Sequence, residues 1–246
     1  MLIINKQKNP RMLVVWLHGL GADGNDFAAV ARGLGLSDIE FILPNAPMIP
    51  ITFNQGLEMR GWYDIKSLSF EHHDIAGMQK SMVYIEEIIS QRIKKCSDSI
   101  KICLVGFSQG AALALFLGLR TAIKLDGVIA LSGYLPCINE DIILPKTPIL
   151  AVHGLHDDII SINYAKQSFC DLMPLSNFQF LTFQMGHEVI EEEIMHIKQF
   201  LQRMKNGPKS KDNPDGYTAE DLIIMAKILQ KSDLRDRHEK HHDDMR

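Results

Sequence analysis

The chain has 246 residues and 46% of them are hydrophobic, so it can bury one substantial core, and we expect a single domain with a tail. Its formal net charge is -4 at pH 7, which offers no basic surface for nucleic acid or for an anionic membrane. No apolar run approaches the ~20 residues that cross a bilayer, and the four cysteines form no Cys-x-x-Cys pair, so a membrane span, disulfides and a zinc site are disfavoured.

The first strong pattern is an apolar run at residues 12–17 that opens into a glycine-rich loop, His-Gly-Leu-Gly-Ala-Asp-Gly, at residues 18–24. The run predicts a buried strand, and a helix is expected after the loop, to about residue 34. Phosphate-binding loops are also rich in glycine. However, neither Lys-Ser/Thr nor Gly-x-Gly-x-x-Gly occurs here, so a phosphate site is disfavoured.

A second strand pattern at residues 39–43 precedes an unusually apolar segment, residues 44–64. Its early prolines exclude a helix there, yet the segment is too apolar for an ordinary solvated loop. It either packs onto the core or lines a pocket for an apolar substrate, and its residues leave both readings open.

The pattern that organises the chain follows a predicted helix, residues 74–95, and a predicted strand, residues 100–105. The strand runs into Gly-Phe-Ser-Gln-Gly at residues 106–110, and a helix-forming run continues to residue 122. This is the Gly-x-Ser-x-Gly pattern of a nucleophile elbow, in which a sharp, strained turn from strand to helix exposes Ser108.

Such an elbow also predicts where a developing negative charge would bind. In hydrolases with this turn, one donor to the oxyanion is the amide after the serine, here Gln109, and the other comes from the loop after an earlier strand. Leu20 is the candidate for the second donor, because Gly19 before it lets the backbone come close to a ligand.

Further strands are predicted at residues 127–131, 149–152 and 178–183, so that strands alternate with helices along the chain. This alternation is typical of an α/β protein. It predicts a mostly parallel central sheet with helices on both faces.

A serine nucleophile needs a base, and the base needs an orienting acid, in the chain order serine, acid, histidine for this class of fold. The loop at residues 153–158, His-Gly-Leu-His-Asp-Asp, follows a predicted strand and offers Asp157 or Asp158 as the acid. His187 follows a later strand beside a glycine. It is the best base, because the other histidines precede the acid, fall within the last helix or lie in a charged tail.

The character of the chain changes near residue 206, which divides a predicted catalytic domain, residues 1–205, from a tail, residues 206–246. The tail is predicted to contain a polar linker, a short amphipathic helix at residues 218–230 and a charged, disordered end. The helix would dock on the catalytic domain, dock on a partner, or merely cover apolar surface of its own chain.

Six motifs in the same order together resemble the phospholipase/carboxylesterase family of α/β-hydrolases, which includes bacterial carboxylesterases and the acyl-protein thioesterases. The resemblance covers about residues 12 to 204. Its motifs are His-Gly-Leu-Gly-Ala-Asp-Gly at 18–24, Pro-Asn-Ala-Pro at 44–47, Asn-Gln-Gly at 54–56 with Met-Arg-Gly-Trp-Tyr-Asp-Ile at 59–65, Gly-Phe-Ser-Gln-Gly-Ala at 106–111, His-Gly-x-x-Asp at 153–157 and Gly-His at 186–187.

The resemblance implies an α/β-hydrolase fold with Ser108 as nucleophile and His187 as base. It also implies Asp157 rather than Asp158 as the acid, because the family's aspartate occupies the fifth place of the His-Gly-x-x-Asp motif. It further implies that the apolar segment lines an acyl-binding groove, with candidate residues Leu57, Met59, Trp62 and Ile159. The tail is not part of the family pattern.

The predicted function is therefore serine-dependent hydrolysis of an acyl ester or thioester, with a small acyl ester, a lysophospholipid or an acylated protein as substrate. No metal or organic cofactor is implied, a homodimer is compatible with the pattern, and we expect a cytoplasmic protein. The alternative is a catalytically silent α/β-hydrolase fold that engages a partner through its C-terminal helix. Peptide hydrolysis is disfavoured, because no added cap domain is evident.

Overall fold

The computed structural model describes residues 1–67, 72–96, 99–136 and 146–207. In chain order its elements are β1 (Leu2–Ile4), β2 (Met12–Leu17), α1 (Ala28–Gly33), β3 (Ile39–Leu43), β4 (Met48–Ile51), β5 (Leu57–Arg60), α2 (Ile75–Ile93), β6 (Lys101–Phe107), α3 (Gln109–Gly118), β7 (Gly127–Leu131), β8 (Ile149–Gly154), α4 (Ile162–Ser168), β9 (Phe178–Phe183) and α5 (Glu191–Asn206). The sequence patterns predicted these elements except β1, β4, β5 and α4. The tail predicted at residues 206–246 lies outside the described residues, apart from its first two positions.

The central sheet has seven strands in the order β1-β3-β2-β6-β7-β8-β9. The edge strand β1 pairs antiparallel with β3, and every other neighbouring pair in this sheet is parallel. The mostly parallel sheet predicted from the alternation of strands and helices is therefore confirmed. Because parallel strands all point the same way, the loops that follow β2, β6, β8 and β9 meet at one edge of the sheet.

Helices cover both faces of the sheet, as predicted. Alternate side chains of β2 separate the two faces: Leu13 and Val15 belong to one buried cluster, whereas Val14 and Trp16 belong to the other. The first cluster also contains buried residues of α2, α3 and α4, and the second contains buried residues of α1 and α5. These layers bury every residue of β2 and fix the positions of the loops at the sheet edge.

The apolar segment at residues 44–64 forms a small hairpin, in which β4 pairs antiparallel with β5 and the turn contains a 3-10 helix, Thr52–Asn54. Its prolines are compatible with this arrangement because a two-stranded sheet leaves one edge of each strand unpaired. The amide of Gly21 donates to the carbonyl of Arg60 at 2.8 Å, so the hairpin is tied to the glycine-rich loop after β2. Among the described residues, no helix combines the length and the apolar character needed to cross a bilayer.

Candidate active site

The turn between β6 and α3 holds Ser108 in a conformation that few residues adopt, with φ 55° and ψ -116°. Two glycines make this turn possible. A Cβ atom at Gly106 would lie 2.1 Å from the carbonyl oxygen of Gly110, and one at Gly110 would lie 2.3 Å from the carbonyl oxygen of Leu17. The glycines are therefore required by close backbone contacts.

The Ser108 side chain is in hydrogen-bond contact with the histidine that the sequence singled out. Nε2 of His187 lies 2.9 Å from Oγ of Ser108, although 79 residues separate them along the chain. The ring of Phe107 packs against the imidazole, with ring centroids 4.9 Å apart. The His187 side chain is 16% exposed, so it faces the cavity while Phe107 restricts its movement.

The other nitrogen of the imidazole, Nδ1 of His187, lies 2.8 Å from Oδ2 of Asp157. The second oxygen of this carboxylate accepts the amides of Ile159 at 3.0 Å and Ile160 at 2.8 Å. Burial alone would raise the pKa of Asp157, but the hydrogen bonds from His187 and from these amides outweigh it and lower the pKa. Asp157 is thus held as a carboxylate, whereas Asp158 is exposed.

The loops that carry the acid and the base are tied together by backbone contacts. The amide of His156 donates to the carbonyl of Met185 at 3.0 Å. A Cβ atom at Gly154 would lie 2.3 Å from the carbonyl oxygen of Gly186, so only glycine allows the two loops to pass this closely. These contacts hold the loops of Asp157 and His187 side by side.

A second histidine, which the sequence analysis left without a role, lies behind the carboxylate. Nε2 of His153 is 2.7 Å from the carbonyl oxygen of Ile160 and 3.3 Å from Oδ2 of Asp157. Burial lowers the pKa of His153 more than the bond to Ile160 raises it, so the ring is neutral and donates from Nε2. It holds the acid's loop in place. The His-Gly-x-x-Asp spacing that points to Asp157 is the one sequence signal that could have included it.

Leu20 and Gln109, the predicted oxyanion donors, line the same cavity as Ser108. As the first residue of α3, Gln109 has an amide without an acceptor inside the helix. A Cβ atom at Gly19 would lie 3.6 Å from Cβ of Ser108, so the backbone leading to Leu20 passes directly beside the serine. The positive end of the α3 dipole also points toward Ser108 and would favour negative charge there.

The cavity beside Ser108 has a volume of about 470 Å³ and is mainly apolar. Of the four residues predicted to line an acyl groove, Ile159 does line this cavity. Trp62 is 1% exposed and is buried beneath the site, where its Nε1 donates to the carbonyl of His18 at 2.8 Å. Leu57 and Met59 lie on β5 and are not among the described lining residues, which instead include Phe53, Tyr63, Ile65, Tyr134 and Ile160.

Some of the lining residues that the sequence analysis missed could have been found from the sequence, and others could not. Phe53 and Ile65 belong to or adjoin the apolar segment, whose composition did indicate a pocket. Tyr134 comes from the loop after β7, which had no distinguishing pattern, and its hydroxyl lies 3.0 Å from that of Tyr63. Only the packing of distant loops brings these two rings together.

Comparison with known proteins agrees with this geometry, because residues 1–205 match the model of the phospholipase/carboxylesterase family. The chain belongs to this family. An acyl-protein thioesterase 1 of Emericella nidulans is 34% identical over 225 residues, which cover 82% of this chain and 94% of that protein. The acyl-protein thioesterase 1 of Neurospora crassa is 36% identical over 207 residues, which cover 76% of this chain and 84% of that protein.

A solved structure extends the similarity to three dimensions. The crystal structure of the acyl-protein thioesterase 2 of Zea mays matches this chain with a TM-score of 0.73 and 26% sequence identity. The match covers 83% of this chain and 98% of that one. As a phospholipase/carboxylesterase family member with the α/β-hydrolase fold, the chain is a serine hydrolase of acyl esters or thioesters. The family resemblance of the sequence motifs is thereby confirmed.

Proposed function

We propose that Ser108, His187 and Asp157 form the catalytic triad of an acyl hydrolase whose substrates include S-acylated proteins. The observation that carries the proposal is the continuous hydrogen-bond chain from Oγ of Ser108 through both nitrogens of His187 to a buried carboxylate. A serine hydroxyl becomes nucleophilic when a base removes its proton, and the carboxylate stabilises the imidazolium that results.

In the proposed mechanism, the oxygen of Ser108 attacks the substrate carbonyl carbon while Nε2 of His187 takes the hydroxyl proton. The negative charge on the carbonyl oxygen is stabilised by the amides of Leu20 and Gln109. When the tetrahedral intermediate collapses, His187 returns the proton to the departing thiol or alcohol. Water then attacks the acyl-enzyme by the same route and releases the carboxylic acid.

Two features support an acylated protein as the substrate class. The curated relatives from Emericella nidulans and Neurospora crassa are named acyl-protein thioesterases. The cavity beside Ser108 is walled largely by aromatic and aliphatic side chains, which suits an acyl chain. A lysophospholipid or a small ester presents the same carbonyl, so these remain the competing substrates to be compared.

We further propose that residues 1–205 form the catalytic domain and that the protein is cytoplasmic. A homodimer stays a prediction, which the elution volume of the purified protein in size-exclusion chromatography would check. Cell fractionation would check the location.

The triad is tested by the variant Ser108→Ala. Because the serine and its base act together, we expect the loss of the Ser108 hydroxyl to reduce kcat by on the order of 10⁶-fold. The variant should also fail to react with a fluorophosphonate probe, which labels an activated serine. Turnover by this variant at the rate of the unaltered protein would rule the mechanism out.

The substrate class is tested by matched thioesters and oxygen esters of the same acyl chain, assayed beside an S-palmitoylated peptide and a lysophospholipid. A kcat/KM that is highest for the S-acylated peptide supports the proposal. The rival function, a silent fold that binds a partner through its C-terminal helix, predicts no probe labelling and no turnover of any of these compounds.

A further inference from the structure

The amide of Leu20 can stabilise an oxyanion only if it keeps one direction, and a backbone amide in a glycine-rich loop is free to rotate unless something holds its peptide plane. Gly19 and Gly21 flank Leu20, and Gly21 has a φ of 78°. The amide of Ala22 donates to the carbonyl of Gly19 at 3.3 Å, which closes a four-residue turn. The positive φ at its third residue is typical of a type II turn, which leaves the amide of the second residue, Leu20, unused.

The side chain of His18 adds a shorter contact to the same carbonyl. Nδ1 of His18 lies 2.7 Å from the carbonyl oxygen of Gly19, and Nε2 receives the amide of Ala46 at 3.0 Å. A backbone amide can only donate, so Nε2 must be the acceptor and the ring proton must be on Nδ1. The fold therefore selects one tautomer of this imidazole, the one that donates to Gly19.

The ring is also held in the neutral state. His18 is 1% exposed, and burial lowers its pKa more than the hydrogen bond to Gly19 and the charge of Asp23 raise it. The indole of Trp62 packs on the ring at 5.0 Å between centroids and donates to the carbonyl of His18 itself. Trp62 is held in turn, since its amide donates to the side chain of Gln109 at 3.0 Å.

We propose that His18 is a positioning residue for the oxyanion site, which fixes the direction of the Leu20 amide through the peptide plane that joins Gly19 to Leu20. A peptide unit is planar and trans, so its carbonyl and its amide point in opposite directions. By donating to the carbonyl of Gly19, the imidazole aims the amide of Leu20 away from itself. Ala46 contributes by selecting the tautomer that makes this donation.

This inference rests on the proposed function, because it assigns His18 to a site whose chemistry depends on Ser108. A merely structural role for His18 would make a different prediction. If the ring only filled space, its replacement would change stability and would affect substrate binding and turnover without distinction. Loss of an oxyanion donor instead lowers kcat with little change in KM, because the charge exists only in the transition state.

The test compares variants that keep or remove the donor at the Nδ1 position. In His18→Asn the side-chain amide nitrogen occupies nearly the place of Nδ1 and can still donate to Gly19. In His18→Gln the terminal oxygen can replace Nε2 as the acceptor for Ala46, but no donor remains near Gly19. His18→Leu removes both functions and provides a second donor-free variant should His18→Gln not fold.

We expect kcat to fall about 100-fold in the two donor-free variants and less than about 10-fold in His18→Asn, with KM within about 3-fold throughout. Rates are expressed per active site titrated with a fluorophosphonate, so that only folded enzyme is counted. The inhibition constant of an acyl trifluoromethyl ketone, whose adduct with serine carries an oxyanion, should rise in parallel with the loss of kcat.

His196→Gln is the matched control, since His196 is a partly buried histidine of α5 and should leave kcat unchanged. Equal kcat values in His18→Asn and the donor-free variants would overturn the positioning role, as would a change confined to KM. Either result, together with an inactive Ser108→Ala, would leave the proposed function standing. Activity in Ser108→Ala would instead remove the function itself.

Discussion

Asp157 meets His187 with only one of its carboxylate oxygens, because its other oxygen is already held by the amides of Ile159 and Ile160. Each oxygen thus has a fixed task. The oxygen that accepts the two amides cannot turn toward the imidazole without breaking both bonds. The loop that carries Asp157 therefore sets the orientation of the carboxylate independently of His187.

This arrangement predicts an unusually clear result for Asp157→Asn. The asparagine oxygen should take the place facing the two amides, which leaves its NH₂ group facing Nδ1 of His187. A donor there forces the ring proton onto Nε2, so His187 can no longer accept the proton of Ser108. We expect kcat to fall by about 10⁴-fold with little change in thermal stability. The exposed neighbour provides the control, and equal losses in Asp158→Asn and Asp157→Asn would contradict the assignment.

The walls of the cavity predict which apolar side chains bind the acyl chain. Ile159 is 48% exposed and lines the cavity, whereas Leu57, which is 64% exposed on β5, is not among the described lining residues. Ile159→Ala should lower kcat/KM for long acyl chains about 10-fold, since the lost apolar contact is worth about 1–2 kcal/mol. Leu57→Ala should have a much smaller effect. The measurement is kcat/KM of both variants for esters of increasing acyl-chain length. A larger loss in Leu57→Ala than in Ile159→Ala would show that the groove runs over β5 instead.

Glu193 of α5 predicts a pH dependence of stability that is unrelated to catalysis. It is fully buried, and burial raises its pKa from 4.5 to about 8, only partly opposed by the nearby amide of Ile190. The folded state therefore keeps this proton after the unfolded chain has lost it. The resulting stability is complete below pH 4.5 and is lost as the pH rises toward 8.

In Glu193→Gln the side chain keeps its shape but no longer titrates. The change that this substitution makes in the free energy of unfolding should therefore be more favourable at pH 7 than at pH 4.5, by on the order of 3 kcal/mol. The measurement is the free energy of unfolding in urea across this range. Glu191→Gln, at an exposed position of the same helix, is the control. A pH profile of Glu193→Gln parallel to that of the unaltered protein would show that the carboxyl group does not titrate in this window.

Several features of the chain follow directly from its sequence. The continuous apolar runs of β2 and β6 and the apolar periodicity of α2 predict their positions closely, and the spacing of glycines around Ser108 predicts the turn in which the structure holds it. These properties depend on neighbouring residues, because local sterics and the burial of one face act over a few positions. The order of serine, acid and histidine along the chain likewise needed no coordinates, and together with the motifs it indicated the family.

Other features depend on contacts between residues that are distant in the sequence. The residues by themselves left Asp157 and Asp158 as alternatives and the family resemblance implied Asp157, but the contact of Asp157 with His187 exists only in the folded loop. Trp62 was expected on the groove wall, but its indole is buried, and its Nε1 donates to the carbonyl of His18, which lies far from it in the sequence. The tautomer of His18 likewise depends on an amide 28 residues away. A sequence pattern records which groups are present, whereas hydrogen bonds and cavity walls require the relative placement of whole strands and loops, which exists only once the core has packed.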